Sequence, residues 1–193
     1  MVHPRAARLP DPDADVLVLV ERRELAAAVT LLMRRHGSAI YRFCRELLHD
    51  AALAEDAQQQ VFLEAFRDLE RFSRKSSLRT WLFGIARHRM LDCAKQRRRR
   101  EARERRVAAE DREPAPPPTA LLDGERLEAA LGACLRELDV DLQHVLLLRF
   151  QQGFTYEEMA GICREKATTL HARVTRALPI LKAKIERYLA RRR

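Results

Sequence analysis

The sequence predicts an all-α protein made of two small helical domains joined by a flexible linker, the second containing a helix-turn-helix. Three observations carry this prediction. Only six glycines occur in 193 residues, and no stretch alternates apolar and polar residues with period two. Apolar residues recur instead at intervals of three and four, the spacing of an amphipathic helix. Residues 101–124, "EARERRVAAEDREPAPPPTALLDG", pass from dense charge to a proline cluster, a composition that builds no core and favours extended backbone. With 47% hydrophobic residues, the chain can bury two small cores, one on either side. The expected boundaries are therefore residues 1–100, 101–124 and 125–193.

The first unit follows a polar N-terminal arm. Residues 16–48, "VLVLVERRELAAAVTLLMRRHGSAIYRFCRELL", carry helical apolar spacing and are predicted as two helices broken around Gly37. In the next helix Val61, Phe62, Ala65, Phe66 and Leu69 form one stripe, with Glu55, Asp56, Glu64 and Asp68 outside it. A further helix starts at Ser77, placing Leu78, Trp81, Leu82 and Ile85 on one face and a basic set including Arg79, Arg87 and Arg89 largely outside that face. Trp81 shares the apolar stripe and is assigned to core packing rather than to stacking on a ligand.

In the second unit, Leu127, Leu131, Leu135, Leu138, Leu142, Val145, Leu146 and Leu148 continue the helical spacing. Thr155 and Glu158 then form the S/T-x-x-E capping box that starts a helix. Met159, Ile162 and Cys163 supply its buried stripe, "REK" supplies a turn, and Leu170, Val174, Ala177 and Leu178 form the stripe of a second helix. This second helix exposes Thr169, His171, Arg173 and Arg176, the form of a helix-turn-helix whose second helix enters the major groove. An ordinary helical hairpin has the same spacing, and the local charge favours the DNA-binding form. Pro179 is predicted to end or kink the helix near Leu178.

Charge narrows the partners. The chain carries 37 Lys+Arg against 28 Asp+Glu, and arginine supplies nearly all the positive charge, which suits bidentate contact with phosphates and base edges. From residue 71 to 106, fourteen Lys and Arg face three carboxylates; from 164 to 193, ten face two. From 46 to 70 the sign reverses, with seven carboxylates against Arg67 alone. Adjoining surfaces of opposite sign imply two partners, one polyanionic and one not.

Other functions are disfavoured. No run approaches the roughly 20 apolar residues of a membrane span, and the N-terminus lacks the apolar stretch of a secretory signal, so a cytoplasmic protein without membrane insertion is expected. Cys44, Cys93, Cys134 and Cys163 lie dozens of residues apart with no Cys-x-x-Cys pair, which points to free thiols in helices and to no metal site. His144, beside "VLLLRF", is read as a packing or surface residue rather than a ligand. No nucleophile–base pair, metal cluster or glycine-rich phosphate loop is present, so neither an enzyme nor a cofactor is expected.

Three segments in order resemble the extracytoplasmic-function sigma factors of bacterial RNA polymerase. "AEDAQQQVFLEAFRDLERF" resembles the core-binding helix of region two, "SSLRTWLFGIARHRMLD" the minus-ten helix that follows, and "LDVDLQHVLLLRFQQGFTYEEMAGI" the entry to region four. The resemblance implies a factor that recruits core polymerase, reads minus-ten and minus-thirty-five promoter elements and helps open the duplex. It implies docking on the clamp helices of the largest subunit through Asp56, Gln59, Gln60 and Phe62, a second contact with the flap region, and an anti-sigma partner. It places minus-ten DNA on Arg74, Lys75, Ser76, Ser77 and Arg79, with Arg87, Arg89 and Lys95 along the backbone. Residues 72–76 would form the pocket for a base flipped from the nontemplate strand. It places minus-thirty-five DNA on Lys166, Thr168, Thr169, His171, Ala172, Arg173 and Arg176.

Departures from the family pattern fall in two places. Gln58 occupies a normally apolar position and Gln60 replaces a glutamate. In the turn, Arg164 stands for the usual glycine, Glu165 for an apolar residue, Lys166 for the small cap and Thr168 for a second glycine, which predicts a reshaped or less stable turn. The altered Gln58 and Gln60 favour the alternative, a helix-turn-helix regulator acting without core polymerase.

Overall fold

The computed structural model describes residues 12–107 and 123–190; the polar N-terminal arm, the proline-rich part of the linker and the last three residues lie outside them. Among the described residues there are eight α-helices and no strand. The first unit contains α1 (Ala14–Glu21), α2 (Leu25–Leu48), α3 (Ala51–Asp68), a 3₁₀ turn (Leu69–Arg71) and α4 (Leu78–Val107). The second contains α5 (Asp123–Arg136), α6 (Val140–Leu146), a π-helical turn (Leu147–Gln151), α7 (Tyr156–Cys163) and α8 (Ala167–Ala190).

The predicted break at Gly37 lies instead between α1 and α2, where Arg23 takes a left-handed backbone and the Arg23 and Glu24 amides bond back to Val20 and Leu19. Gly37 sits inside α2 for a packing reason. A Cβ there would stand 3.3 Å from the Gln58 amide nitrogen, which donates to the Gly37 carbonyl at 2.9 Å. The glycine therefore lets α3 approach α2, and Gln58 faces that contact. Asp50 caps α3 by accepting from the Leu53 amide.

Ile40 and Phe43 of α2, Val61 and Phe62 of α3, and Leu78, Leu82 and Phe83 of α4 form the first core, each contributing about 1.5–3 kcal/mol by burial. The predicted α4 stripe is wider than expected. Leu78 and Leu82 are buried as predicted, but Phe83, Ala86 and Met90 join them while Trp81 and Ile85 are only half-buried. The reason is that α4 packs on α2 and α3 on one side and on α7 on the other. Phe66, predicted on the α3 stripe, is exposed. Helix α4 also runs through Val107, seven residues past Arg100 into the segment read as linker, because its last turns hold only strong helix formers and one valine.

In the second unit, the leucine-rich stretch is divided rather than continuous, with Asp139 capping α6 by accepting from the Asp141 amide. Leu127 and Leu131, predicted inside, are exposed. Helix α8 does not end at Pro179. The proline removes one backbone donor, but Leu181 is buried and Ile185 and Tyr188 pack against the core beyond it, so tertiary contacts with α5 hold the helix together. Leu178, predicted on the buried stripe, is exposed. Three of the four free cysteines are buried and Cys93 is half-buried.

The two units meet along α4. Phe83 lies edge-on to Phe43 of its own unit at 5.6 Å and to Phe154 of the other at 5.0 Å, making one continuous aromatic seam.

Candidate nucleic-acid interface

The helix-turn-helix is built as its sequence requires. The Glu158 amide donates to the Thr155 hydroxyl at 3.2 Å and the Thr155 amide to the Glu158 carboxylate at 2.8 Å, completing the capping box. Helix α7 ends at Arg164 with φ 55° and ψ 40°, the left-handed conformation that glycine adopts most easily. The turn therefore keeps its backbone form with an arginine in the glycine position. The Lys166 carbonyl then accepts from the Thr169 and Leu170 amides as α8 begins.

Leu170, Val174 and Ala177 anchor α8, leaving Lys166, Thr168, Thr169, His171 and Arg176 exposed on its outer side and Ala172 and Arg173 half-buried. Three of these side chains are engaged, Arg176 through its Nε, which donates to the Ala172 carbonyl at 3.2 Å. Arg173 is held in a fork by Glu165, at 2.7 and 3.2 Å, and His171 stands edge-on to Tyr156 at 5.0 Å, with Arg149 over the tyrosine ring. Glu165 has no signal in the sequence as a partner of Arg173; the turn brings them together.

The predicted minus-ten set divides in two. Lys75 and Ser76 are exposed on the loop before α4, and Lys95 is exposed beyond Asp92, 3.7 Å away. Arg74 has a left-handed backbone and reaches Glu21 of α1 at 2.6 Å. Ser77 is a helix cap: its hydroxyl accepts from the Thr80 amide at 3.1 Å and donates to the Thr80 hydroxyl at 2.9 Å. The α4 arginines do not form the free basic face that was predicted. Arg89 pairs with Glu64 of α3. Arg79 donates to the Gln152 carbonyl at 2.5 Å and lies over the Phe154 ring at 3.9 Å, and its burial lowers its pKa. Arg87 pairs with Asp141 at 2.7 Å, with 11% of its side chain exposed. Their spacing was read correctly as outside the α4 stripe, but it could not show that α3 covers Arg89 and the second unit covers Arg79 and Arg87.

On α3, Asp56, Gln59 and Gln60 are exposed on a mixed acidic face, whereas Phe62 is buried and supports the helix from inside. A separate apolar groove of about 600 Å³ opens on the second unit between Leu131, Leu135, Leu147, Phe150 and Leu178, with Phe150 60% exposed. Among the described residues, no group of three or more His, Cys, Asp or Glu is placed to hold a metal ion, and no helix is long and apolar enough to cross a membrane.

Two helical units, one carrying a helix-turn-helix and the other a basic helix behind an acidic one, define a two-region transcription factor of the sigma type. Residues 32–102 match the model for Sigma-70 region 2 and residues 128–179 that for Sigma-70, region 4. The RNA polymerase sigma-H factor of Pseudomonas aeruginosa is 32% identical over 173 residues, covering 82% of this chain and 88% of the relative. The ECF RNA polymerase sigma factor EcfG of Rhodopseudomonas palustris is 33% identical over 141 residues, covering 73% and 76%. The chain belongs to the extracytoplasmic-function family of RNA polymerase sigma factors. It is a promoter-specific sigma factor, and the alternative of a regulator independent of core polymerase is set aside.

The same fold occurs in the sigma factor RpoE from Bartonella quintana, solved with the anti-sigma factor NepR, at TM-score 0.63 and 24% identity over 83% of this chain and 96% of that one. It also occurs in CnrH, solved with the cytosolic domain of CnrY, at TM-score 0.59 and 22% identity over 89% and 96%.

Proposed function

We propose that the two regions divide promoter recognition as their exposed surfaces divide. Residues 1–100 bind core polymerase and the minus-ten element, residues 101–124 link the regions, and residues 125–193 bind the minus-thirty-five element. The observation that carries this reading is the exposure of Lys166, Thr168, Thr169, His171 and Arg176 on the outer side of one buried-face helix. That helix presents a donor-rich edge of the width a major groove admits.

In the minus-ten region, Lys75 and Ser76 stand exposed on the loop to meet an extruded base, with Arg79, Arg87, Arg89 and Lys95 behind them. Arg74 and Ser77 shape the loop through Glu21 and Thr80. Unstacking a base costs a few kcal/mol, which phosphate neutralisation and pocket contacts offset. Asp56, Gln59 and Gln60 face the polymerase clamp helices, and Phe62 holds their helix in place. The groove around Phe150 suits an apolar helix of the flap region. An anti-sigma protein is a further partner, by likeness to the two solved complexes.

The test is transcription in vitro with purified core enzyme. Arg176→Ala is expected to weaken minus-thirty-five binding uniformly across sequences and to reduce the salt slope by about one. An unchanged slope would remove Arg176 from the phosphate contacts, and loss of core binding by the intact chain would refute the division as a whole.

A further inference from the structure

The seam between the regions contains a titratable group with no polar partner. His144 of α6 is fully buried, its ring 5.7 Å from Phe43 of α2, and neither ring nitrogen makes a hydrogen bond. Buried polar groups are usually paired, so an imidazole enclosed this way is stable there only when neutral.

The same seam occupies the side of α4 assigned above to DNA. Arg79 is held by the Gln152 carbonyl and the Phe154 face, and Arg87 by Asp141, three residues before His144. The Gln152 side chain reaches across to the Ala39 carbonyl at 3.5 Å. In this packing neither arginine is available to a phosphate.

We propose that this seam is an autoinhibitory contact released by acid: protonation of His144 separates the two regions and uncovers Arg79 and Arg87 for promoter DNA. The uncovering rests on the assignment of those arginines to the minus-ten element; the release does not.

The groups around the ring fix the sign. Arg87 of α4 bears on the ring directly, and Cys93 of α4, His49 at the end of α2 and Arg136 at the end of α5 line with it a cavity of about 170 Å³. On its own helix the carboxylates are Asp139, whose side chain caps the helix, and Asp141, already paired with Arg87. A proton on His144 would thus place a cation near Arg87 in an apolar seam. Burial, and then Arg87, push the imidazole down from its ordinary value to about 3, with Asp139 opposing.

Once the regions part, the ring returns to about 6.5. The closed state therefore holds fewer protons than the open one. Its advantage is complete above pH about 6.5 and falls about tenfold per pH unit below that, until pH about 3.

The experiment uses the full chain at pH 7.5 and about 5.5. Small-angle scattering gives the size, emission from Trp81, the single tryptophan, reports the cleft it lines with Gly161 and Ile162, and far-UV circular dichroism follows the helices. The expected result is a closed-to-open ratio that drops about tenfold at the lower pH with the helices intact. His144→Phe should remain closed at both pH values and Asp141→Asn should open at both. A wild-type chain that stays closed in acid, or a His144→Phe chain that opens with the same pH dependence, would overturn the proposal. Should His144→Phe fail to fold, the His144 proton resonance in the wild type decides: a closed chain whose ring titrates near 6.5 refutes the mechanism. A nontemplate minus-ten oligonucleotide separates the two readings. Opening without a gain in its binding would refute the assignment of Arg79 and Arg87 to DNA, whereas failure to open would refute the release itself.

Discussion

The turn between α7 and α8 gives a prediction whose size follows from one backbone angle. Arg164 sits at φ 55°, where a residue with a Cβ carries about 1–2 kcal/mol of strain that glycine lacks. Replacing it with glycine releases that strain but adds freedom to the unfolded chain, which returns about 0.4–1 kcal/mol. Arg164→Gly should therefore stabilise the second unit by about 0.5–1 kcal/mol net. Arg164→Ala separates strain from charge, because it removes the guanidinium and keeps the Cβ. Urea unfolding followed by circular dichroism should show a higher midpoint for the glycine variant than for both the alanine variant and the parent, at equal slope. Equal midpoints for glycine and alanine would refute the reasoning, since the gain would then come from charge.

Two further outcomes are expected elsewhere. Asp15 is held down to about 2, chiefly by its fork with Arg35, and Asp13 is also lowered, burial opposing the bonds from His36 and Arg35 that prevail. Depressed carboxyls give stability that is present above pH about 4 and lost as pH falls through their folded values, so α1 should loosen from α2 in that acid range. Hydrogen exchange of α1 against pH checks this, and Arg35→Ala should shrink the dependence to the part that Asp13 keeps through His36. On α3, Gln60→Glu should strengthen binding to core polymerase by restoring the carboxylate usual in the family; competition against the parent for limiting core enzyme measures it, and unchanged affinity would take residue 60 out of the contact.

The helix-turn-helix was legible because its determinants are local. The reach of Thr155 to Glu158 and the spacing of Leu170, Val174 and Ala177 act within one or two turns, and the structure realises each. Gly37 was misread for the opposite reason. Its role depends on Gln58, 21 residues away, so a glycine that is required for close packing looks in sequence like a helix break. Of the two outcomes expected at Pro179, an end to the helix is not realised, because Leu181 and Ile185 secure the helix beyond it against partners distant in the chain. The α4 arginines show the limit at the candidate site: periodicity assigns a side to a residue, but not the element that covers that side.

The departures from the family pattern gain a physical meaning from these placements. Of the three consecutive glutamines on α3, Gln58 turns inward, where its amide bonds to the Gly37 carbonyl, while Gln59 and Gln60 face solvent. The polar residue at a normally apolar position is thus paired with a helix carbonyl that a small residue leaves accessible, and it changes the α2–α3 contact rather than the solvent-exposed face of α3. Arg164 likewise keeps the turn's backbone form while adding a positive charge beside the recognition helix, and Glu165 next to it fixes the half-buried Arg173. The substitution that bears directly on the outer face of α3 is therefore Gln60, and the one that bears on the turn between α7 and α8 costs backbone strain in exchange for charge. Both effects are separable by single substitutions, because the residues lie in different units and share no partner.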